Sequence, residues 1–206
     1  MTASAGEMID LSMNEIEMIA YKAARGAGLS WGIAEDVGRS ARWLAARGGD
    51  WAPWLLRALE PEIALDRVHS PFFVGAELCD QLDDLAALRT LDPVQIESPI
   101  WSTAMLAVNT PDGMAFDLAL AAERVAFRGD TVSATTALSQ LGALPTAQLK
   151  ILPQADVRAG PLIGLLASRS SIAVDDHAAL DLLVYKTYVP NSEKSRLRGA
   201  GARPSL

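Results

Sequence analysis

The stretch Val125-Ala126-Phe127-Arg128-Gly129-Asp130-Thr131-Val132-Ser133 places two short β-type runs on either side of a Gly-containing turn. Val, Phe and Thr favour strands, and a Gly turn between two such runs is typical of a β-hairpin. We interpret Arg128-Gly129-Asp130 as the hairpin turn and not as an adhesion motif. The stretch therefore predicts an antiparallel sheet in the second half of the chain.

Further short strands are predicted at Leu149-Lys150-Ile151-Leu152 and at Ser171-Ile172-Ala173-Val174. Residues 70–75, Ser-Pro-Phe-Phe-Val-Gly, also suit a strand, whereas residues 77–91 suit a helix with an acidic face. Residues 96–108 form an apolar run interrupted by Pro99, and periodicity leaves both a strand and a buried helix open there. Residues 109–113 are predicted to form a turn.

The first 62 residues favour helices. Ser12 and Glu15 have the spacing of a capping box, so a first helix is expected to begin there and to end at residues 26–28. A second helix is expected from Ser30 to the Gly pair at 48–49. The apolar positions of both helices are mostly Ala and Gly, which predicts that their backbones approach closely.

Two more helices are predicted from their caps. Asp50 is expected to cap a short third helix, since Pro53 is tolerated in a first turn. Asp175 or Asp176 is expected to cap a last helix, which Pro190 would close.

Together these elements predict an α+β fold, with an N-terminal helical layer packed on a small, mainly antiparallel sheet. A doubly wound sheet is disfavoured because no Gly-rich phosphate turn follows a clear strand. We expect a single domain over residues 1–206, with a helical part at 12–62, a mixed part at 67–190 and a basic tail at 191–206.

Charge and composition restrict the function classes. The chain has a net charge of −7, and its basic tail is too short for the broad basic face that nucleic-acid binding requires. No apolar run is long enough for a membrane span, and the first twelve residues carry no Lys or Arg, so we expect a cytoplasmic protein. The single cysteine, Cys79, excludes an internal disulfide and a zinc site built on several thiolates.

Two blocks carry a resemblance to a known family. They are residues 12–17 (Ser-Met-Asn-Glu-Ile-Glu) with 24–32 (Ala-Arg-Gly-Ala-Gly-Leu-Ser-Trp-Gly), and residues 187–196 (Thr-Tyr-Val-Pro-Asn-Ser-Glu-Lys-Ser-Arg) with Gly-Ala-Gly at 199–201. The chain resembles a bacterial family of about this length that is filed as a domain of unknown function. Members often continue after Gly-Ala-Gly into an acidic Asp-Asn-Asp end, whereas this chain ends Ala-Arg-Pro-Ser-Leu. The resemblance implies no activity.

The block Arg25-Gly26-Ala27-Gly28 leads into the helix that is expected to begin at Ser30. Free N–H groups and the positive end of the helix dipole could meet a carboxylate or phosphate beside the Arg25 guanidinium. The alternative is an ordinary Gly C-cap, tight turn and N-cap between two packed helices.

The C-terminal block concentrates hydroxyls and cations, so it suits an anion-binding flap, and it equally suits a frayed terminus. If the two blocks meet, they surround one acidic ligand. The candidate ligand-binding residues are then Arg25, Gly26, Gly28, Ser30, Trp31, Ser192, Ser195 and Arg196.

Other chemistry-bearing residues have more ordinary explanations. His177 follows two aspartates and has the chemistry of a base or a metal ligand, but an exposed imidazole at a helix cap is more common. His69 and Cys79 have the residue types of a nucleophile pair without a local signature of one. No metal site is predicted, because acidic runs usually form a solvated helix face, here Asp80, Asp83 and Asp84.

Five tryptophans are open to two interpretations, a wall for ligand stacking or the more frequent packing in a core or interface. They are Trp31, Trp43, Trp51, Trp54 and Trp101.

The leading hypothesis from the sequence is a protein or metabolic enzyme that binds an anionic metabolite through the two blocks. The alternative is a non-catalytic subunit or assembly factor, whose Ala-rich helices and tryptophans form a homodimer or partner interface. The reaction, the substrate and the cofactor stay open.

Overall fold

The structure, a computed structural model, describes residues 7–82, 93–128, 131–152, 160–165 and 167–188. Within these ranges the chain forms helices and antiparallel strands, which confirms the α+β class. The helices are α1 (Met13–Gly26), α2 (Trp31–Ala46), α3 (Trp51–Ala58), α4 (Pro61–Ala64), α5 (Pro71–Asp80), α6 (Ile100–Asn109), α7 (Leu138–Ala143) and α8 (Val174–Tyr185). The strands are β1 (Met8–Ser12), β2 (Val94–Glu97), β3 (Ala115–Leu120), β4 (Glu123–Arg128), β5 (Thr131–Ala134), β6 (Thr146–Leu152) and β7 (Arg169–Ala173).

The predicted capping box at the start of α1 is confirmed. The Glu15 N–H donates to Ser12 Oγ at 3.3 Å, and the Ser12 N–H donates to Glu15 Oε2 at 2.8 Å. Both bonds satisfy donors that a helix start otherwise leaves without partners. The predicted ends of α1 and α2 are also confirmed to within a residue or two.

The helices α1 and α2 pack through small residues, as the Ala and Gly pattern predicts, and α8 approaches α1 in the same way without having been predicted to. A Cβ on Gly38 of α2 would lie 2.8 Å from the Glu17 carbonyl oxygen of α1. A Cβ on Gly26, the last residue of α1, would lie 1.9 Å from the Leu183 carbonyl oxygen of α8. These two contacts hold α1 between α2 and α8.

The strand predicted at residues 70–75 is wrong, since these residues begin α5. Ser70 is the N-cap and accepts the Phe72 N–H at 3.3 Å, and Pro71 occupies the first helical position, where its missing N–H costs nothing. Gly75 lies against Met105 of α6, and residues 70–75 are mostly buried, so they carry no polar stripe that would have revealed the helix. The apolar run at 96–108 contains both elements that were left open, the end of β2 and most of α6.

Five strands form one antiparallel sheet in the order β2-β6-β3-β4-β5. The predicted hairpin is confirmed as β4 and β5, with Arg128 opposite Thr131, while Gly129 and Asp130 of its turn lie outside the described residues. The strand predicted at residues 149–152 is the second half of β6. The strand β3 has no counterpart in the sequence predictions, and its Asp117 is buried and bonded to Arg128 of β4 at 2.7 Å.

A separate two-stranded ribbon pairs β1 with β7, and Arg169 Nε donates to Asp10 Oδ2 at 2.5 Å across it. The strand predicted at residues 171–174 is confirmed in β7, except that its last residue begins α8. Ala173 is therefore the N-cap of α8, and the predicted cap at Asp175 or Asp176 is wrong because both lie in the first turn. Pro190 lies outside the described residues.

None of the described helices is long and apolar enough to cross a membrane. The assignment of the whole chain to a single domain stays a prediction.

Candidate functional site

The loop between α1 and α2 is a tight turn stabilised by its own backbone. The Gly28 N–H donates to the Arg25 carbonyl at 3.0 Å, and the Leu29 N–H donates to the Ala24 carbonyl at 3.1 Å. Gly28 has a φ of +99°, a conformation that L-residues with a side chain rarely adopt. The alternative interpretation of residues 25–30, a helix C-cap followed by a tight turn and an N-cap, therefore describes the backbone correctly.

The Arg25 side chain is held in place by two contacts within this loop. Its Nη1 donates to the Leu29 carbonyl oxygen, and its guanidinium lies over the Trp31 ring, 4.3 Å from the centroid. Within the described ranges no carboxylate pairs with it. The guanidinium is thus fixed in position, and no carboxylate in the described part of the chain neutralises its charge.

Arg25 lines a cavity of about 420 Å³ at the place where the C-terminal ends of α1 and α8 meet the beginning of α2. Its lining residues are Tyr21, Lys22, Arg25, Gly26, Trp31, Lys186 and Thr187. We call this cavity the cationic pocket, because Lys22, Arg25 and Lys186 are its charged residues.

The contact at Gly26 creates the pocket. Because Gly26 has no side chain, the Leu183 carbonyl of α8 approaches the end of α1 directly. Lys186, which follows α8, therefore lies at the same cavity as Arg25 in the last turn of α1. A cation near a helix C-terminus is also stabilised by the helix dipole, which gives both residues a structural reason to be there.

The first turn of α2 adds hydrogen-bond donors at the edge of the pocket. Ser30 is the N-cap, but its side chain makes no capping hydrogen bond. Among the described residues no acceptor faces the backbone N–H groups of Trp31, Gly32 or Ile33. Such N–H groups at a helix start are suited to carboxylate or phosphate oxygens.

Aromatic rings surround the same cavity. Trp31 is 64 % exposed, and its ring centroid lies 6.2 Å from that of Tyr21. Tyr188, the last residue that the structure describes, has Lys22 Nζ 5.8 Å from its ring centroid. The pocket therefore combines positive charge with exposed aromatic surface.

Five of the eight candidate ligand-binding residues lie in the described ranges, and their role in binding stays a prediction. Arg25, Gly26 and Trp31 line the cationic pocket, whereas Gly28 and Ser30 shape the loop behind it. Ser192, Ser195 and Arg196 lie outside the described residues, so their meeting with Arg25 stays a prediction.

Sequence reasoning missed the other lining residues of the pocket. Tyr21 and Lys22 precede Arg25 by four and three positions, so helical spacing alone could have placed them on the Arg25 face of α1. Lys186 and Thr187 reach the pocket only through the packing of α8 on α1, for which the sequence carries no local signal.

The other titratable residues take structural roles. His177 lies next to Asp181, with Nδ1 3.2 Å from Oδ2, and His69 lies next to Asp66 at 2.9 Å. Burial raises the pKa of the Cys79 thiol to about 12, which leaves almost no thiolate at neutral pH and argues against a nucleophile pair.

The described ranges contain no group of three or more His, Cys, Asp and Glu that could hold a metal ion. Two members of the acidic run, Asp83 and Asp84, lie outside those ranges, and Asp80 ends α5.

The five tryptophans differ in how far their side chains are exposed. Trp43, Trp51 and Trp101 are buried in the core, and Trp54 packs its ring against Gly142 of α7. Trp31 is 64 % exposed at the cationic pocket, whereas Trp43, which lines another cavity, is 8 % exposed.

A second cavity of about 410 Å³ lies between α5 and the edge of the sheet. Its lining is mainly apolar, including Val74, Leu78 and Ile151, and it carries charges of both signs in Arg67 and Glu77. It therefore lacks the excess of positively charged lining residues that is found in the cationic pocket.

Residues 11–89 match the model of a family described as "Protein of unknown function (DUF3726)". This match confirms the resemblance to a domain of unknown function, and it includes the block around Arg25 but not the C-terminal block. Neither the curated proteins nor the solved structures yielded a match.

Proposed function

We propose that this protein binds a small anionic molecule in the cationic pocket. The observation that carries the proposal is that Lys22, Arg25 and Lys186 line one cavity of about 420 Å³ and that, in the described part of the chain, none of them pairs with a carboxylate. Three like charges around one cavity repel each other, and an anion that enters it relieves this repulsion. A cavity of this size suits a metabolite.

The geometry of Arg25 supports the proposal. Its contacts with the Leu29 carbonyl and the Trp31 ring hold the side chain before any ligand arrives. A pre-organised guanidinium loses little conformational entropy on binding and can donate two parallel hydrogen bonds to a carboxylate or phosphate. The free N–H groups at the start of α2 provide further donors next to it.

We extend the proposal to Ser192, Ser195 and Arg196 as a flap over the ligand. Tyr188 borders the pocket through its contact with Lys22. A chain spans at most roughly 3.5 Å per residue, so Ser192 cannot be farther than roughly 14 Å from Tyr188. The hydroxyls and the guanidinium of this block have the chemistry that completes an anion site.

A thermal-shift titration with phosphate, sulfate and small carboxylic acids tests the proposal. We expect at least one of them to raise the melting temperature, and we expect Arg25→Ala and Lys186→Ala to weaken its binding by about tenfold, as for the loss of a charged hydrogen bond. Lys150→Ala is the matched control, because Lys150 is an exposed cation on β6 that does not line the pocket.

Equal binding by Arg25→Ala, Lys186→Ala and Lys150→Ala would show that the shift arises elsewhere and would contradict the proposal. Arg196→Ala tests the flap separately: a weakened ligand shift supports it, and an unchanged shift removes the flap while leaving the pocket.

A second candidate function is a partner subunit that acts as a homodimer or in a larger assembly. The observation that favours it is the exposure of large apolar side chains on α8 and next to it, with Leu182 and Tyr185 each 70 % exposed and Tyr188 55 % exposed. Exposed patches of this kind often mark interfaces.

Light scattering after size exclusion tests this candidate. A dimeric mass that becomes monomeric in Leu182→Glu supports the homodimer, and a monomer at high concentration contradicts the homodimer. The cytoplasmic location stays part of the proposal, and so does the absence of nucleic-acid binding, which the net charge of −7 supports.

A further inference from the structure

We propose that the ligand of the cationic pocket carries a planar aromatic ring next to its anionic group. The inference rests on the proposed function, because it names the chemical class of the molecule that enters the same pocket. It is carried by the state of Trp31, which differs from that of the other four tryptophans.

Trp31 is exposed yet held in place. Its indole is 64 % exposed, whereas Trp43, Trp51 and Trp101 are 8 % exposed or less. The Arg25 guanidinium lies 4.3 Å from its ring centroid, and Tyr21 lies at an interplanar angle of 43° to it. A large apolar ring whose orientation is fixed by neighbours, and whose surface is only partly covered by them, has the properties of a stacking platform.

Space for a second ring exists beside this platform. Trp31 lines the cavity of about 420 Å³, and a Cβ built on the neighbouring Gly32 meets no atom within 4 Å. The described residues therefore leave open space beside Trp31, and the cavity volume suits a one-ring or two-ring molecule.

The charges are close enough for one molecule to use both features. Arg25 contacts the indole ring itself, and Lys22 and Lys186 line the same cavity. An inorganic anion would engage these cations and leave the Trp31 ring in water. A planar aromatic anion would place its charge on the cations and its ring on the indole.

Two sources supply this chemistry, an aromatic carboxylate and a nucleotide with a phosphate next to its base. Matched pairs of probes isolate the ring in each case. Benzoate and cyclohexanecarboxylate carry the same charge and similar bulk but differ in aromaticity, and adenosine monophosphate differs from ribose 5-phosphate by its base.

The experiment is a calorimetric titration of the full chain with all four compounds. We expect the aromatic member of at least one pair to bind about fivefold more tightly, as for one aromatic stacking contact. The pair that shows this preference identifies the source of the ligand. In Trp31→Ala we expect the preference to disappear and the weaker, charge-driven binding to remain, while Trp31→Phe retains part of the preference.

Leu165→Ala is the matched control, because Leu165 is 73 % exposed and does not line the pocket. Since Trp31 is an exposed surface residue, its substitution is not expected to unfold the chain. Thermal melts of Trp31→Ala and Leu165→Ala should coincide within a few degrees.

The outcomes separate the two proposals. If both members of each pair bind equally, and Arg25→Ala weakens them all, the aromatic inference is overturned and the anion site stands. A preference that persists in Trp31→Ala also overturns it. If none of the four compounds, nor phosphate or sulfate, binds to the wild-type chain, both proposals fail.

Discussion

The helices α1, α2 and α8 and the five-stranded sheet reach the same degree of burial with opposite kinds of residue. In the helices the fully buried positions are mostly Ala, and Gly26 brings two backbones into direct contact. In the sheet most buried side chains are large, and the rings of Phe116 and Phe127 stack with their centroids 4.6 Å apart. We therefore expect added side-chain atoms to destabilise the helical region, and removed side-chain atoms to destabilise the sheet.

The largest expected effect comes from the sheet. Phe127→Ala removes a fully buried ring that stacks on Phe116, and we expect it to lower the free energy of unfolding by about 4 kcal/mol, as is typical for such cavities. Urea denaturation followed by circular dichroism measures the loss. Lys150→Ala on β6 is the exposed control, and a loss below about 1 kcal/mol in Phe127→Ala would break the comparison.

The second effect comes from the helical region, where the change is an addition. Gly26→Ala puts a methyl group 1.9 Å from the Leu183 carbonyl oxygen, so α8 must move, and we expect a loss of about 3 kcal/mol. Gly32→Ala is the matched control, since its Cβ meets nothing within 4 Å and Ala is the better helix former. Equal stabilities of the two variants would show that α1 and α8 are not in backbone contact.

The third effect concerns the start of α1 and has a pH dependence. Ser12→Ala removes a capping hydroxyl, and we expect a loss of about 1 kcal/mol at pH 7. Hydrogen bonds from the Ser12 N–H, and then from its hydroxyl, lower the pKa of Glu15 below its ordinary value of 4.5. Their stabilising contribution is present above that value and is lost as the pH falls through the lowered pKa.

Melting curves of the wild type and Ser12→Ala between pH 3 and pH 7 measure this dependence. The difference in melting temperature should shrink on the acidic side, and a constant difference would contradict the role of Glu15. Thr110→Ala is a suitable control, since its hydroxyl bonds the Leu106 carbonyl at a helix end without a carboxylate.

The smallest effect comes from the start of α3, where the sign is opposite. Desolvation and the nearby Asp176 raise the pKa of Asp50, so the folded state binds this proton more tightly than the unfolded state does. The stability of the fold therefore decreases as the pH rises from below the ordinary value of 3.8 through the raised one.

Asp50→Asn should accordingly raise the free energy of unfolding at pH 7 by a few tenths of a kcal/mol, since Asp50 is at the surface. The gain should vanish below about pH 4, where the carboxyl group of the wild type is protonated. Asp112→Asn in the exposed turn after α6 is the control for the loss of one negative charge. A destabilised Asp50→Asn would indicate that the carboxylate is needed at the start of α3.

The separation of interacting residues along the chain explains which parts of the fold could be predicted from the sequence. Local signals were sufficient where the partners are close in sequence, as in the capping box at Ser12 and the hairpin of β4 and β5. The strand predicted at residues 70–75 failed because Ser70 and Pro71 are equally good helix starters, and only burial against α6 decides between the structures. The strand β3 was not predicted, because it contains the charged residue Asp117. The partner of Asp117, Arg128, lies on the neighbouring strand.

The candidate site was predictable to the same extent. The Gly-rich turn after Arg25 pointed to half of the pocket, and Trp31 followed from it. The other half depends on Lys186, whose position follows from the packing of α8 against Gly26 and not from any motif.

The β1–β7 ribbon also has a consequence for how the chain folds. Its cross-strand partners Asp10 and Arg169 are 159 positions apart, whereas β3, β4 and β5 follow one another through short turns. Closing so long a loop costs conformational entropy, and the contacts between β1 and β7 offset this cost only after the intervening elements have formed. We expect the ribbon to form last during folding. Its amide protons should exchange with deuterium sooner than those in the middle of the five-stranded sheet.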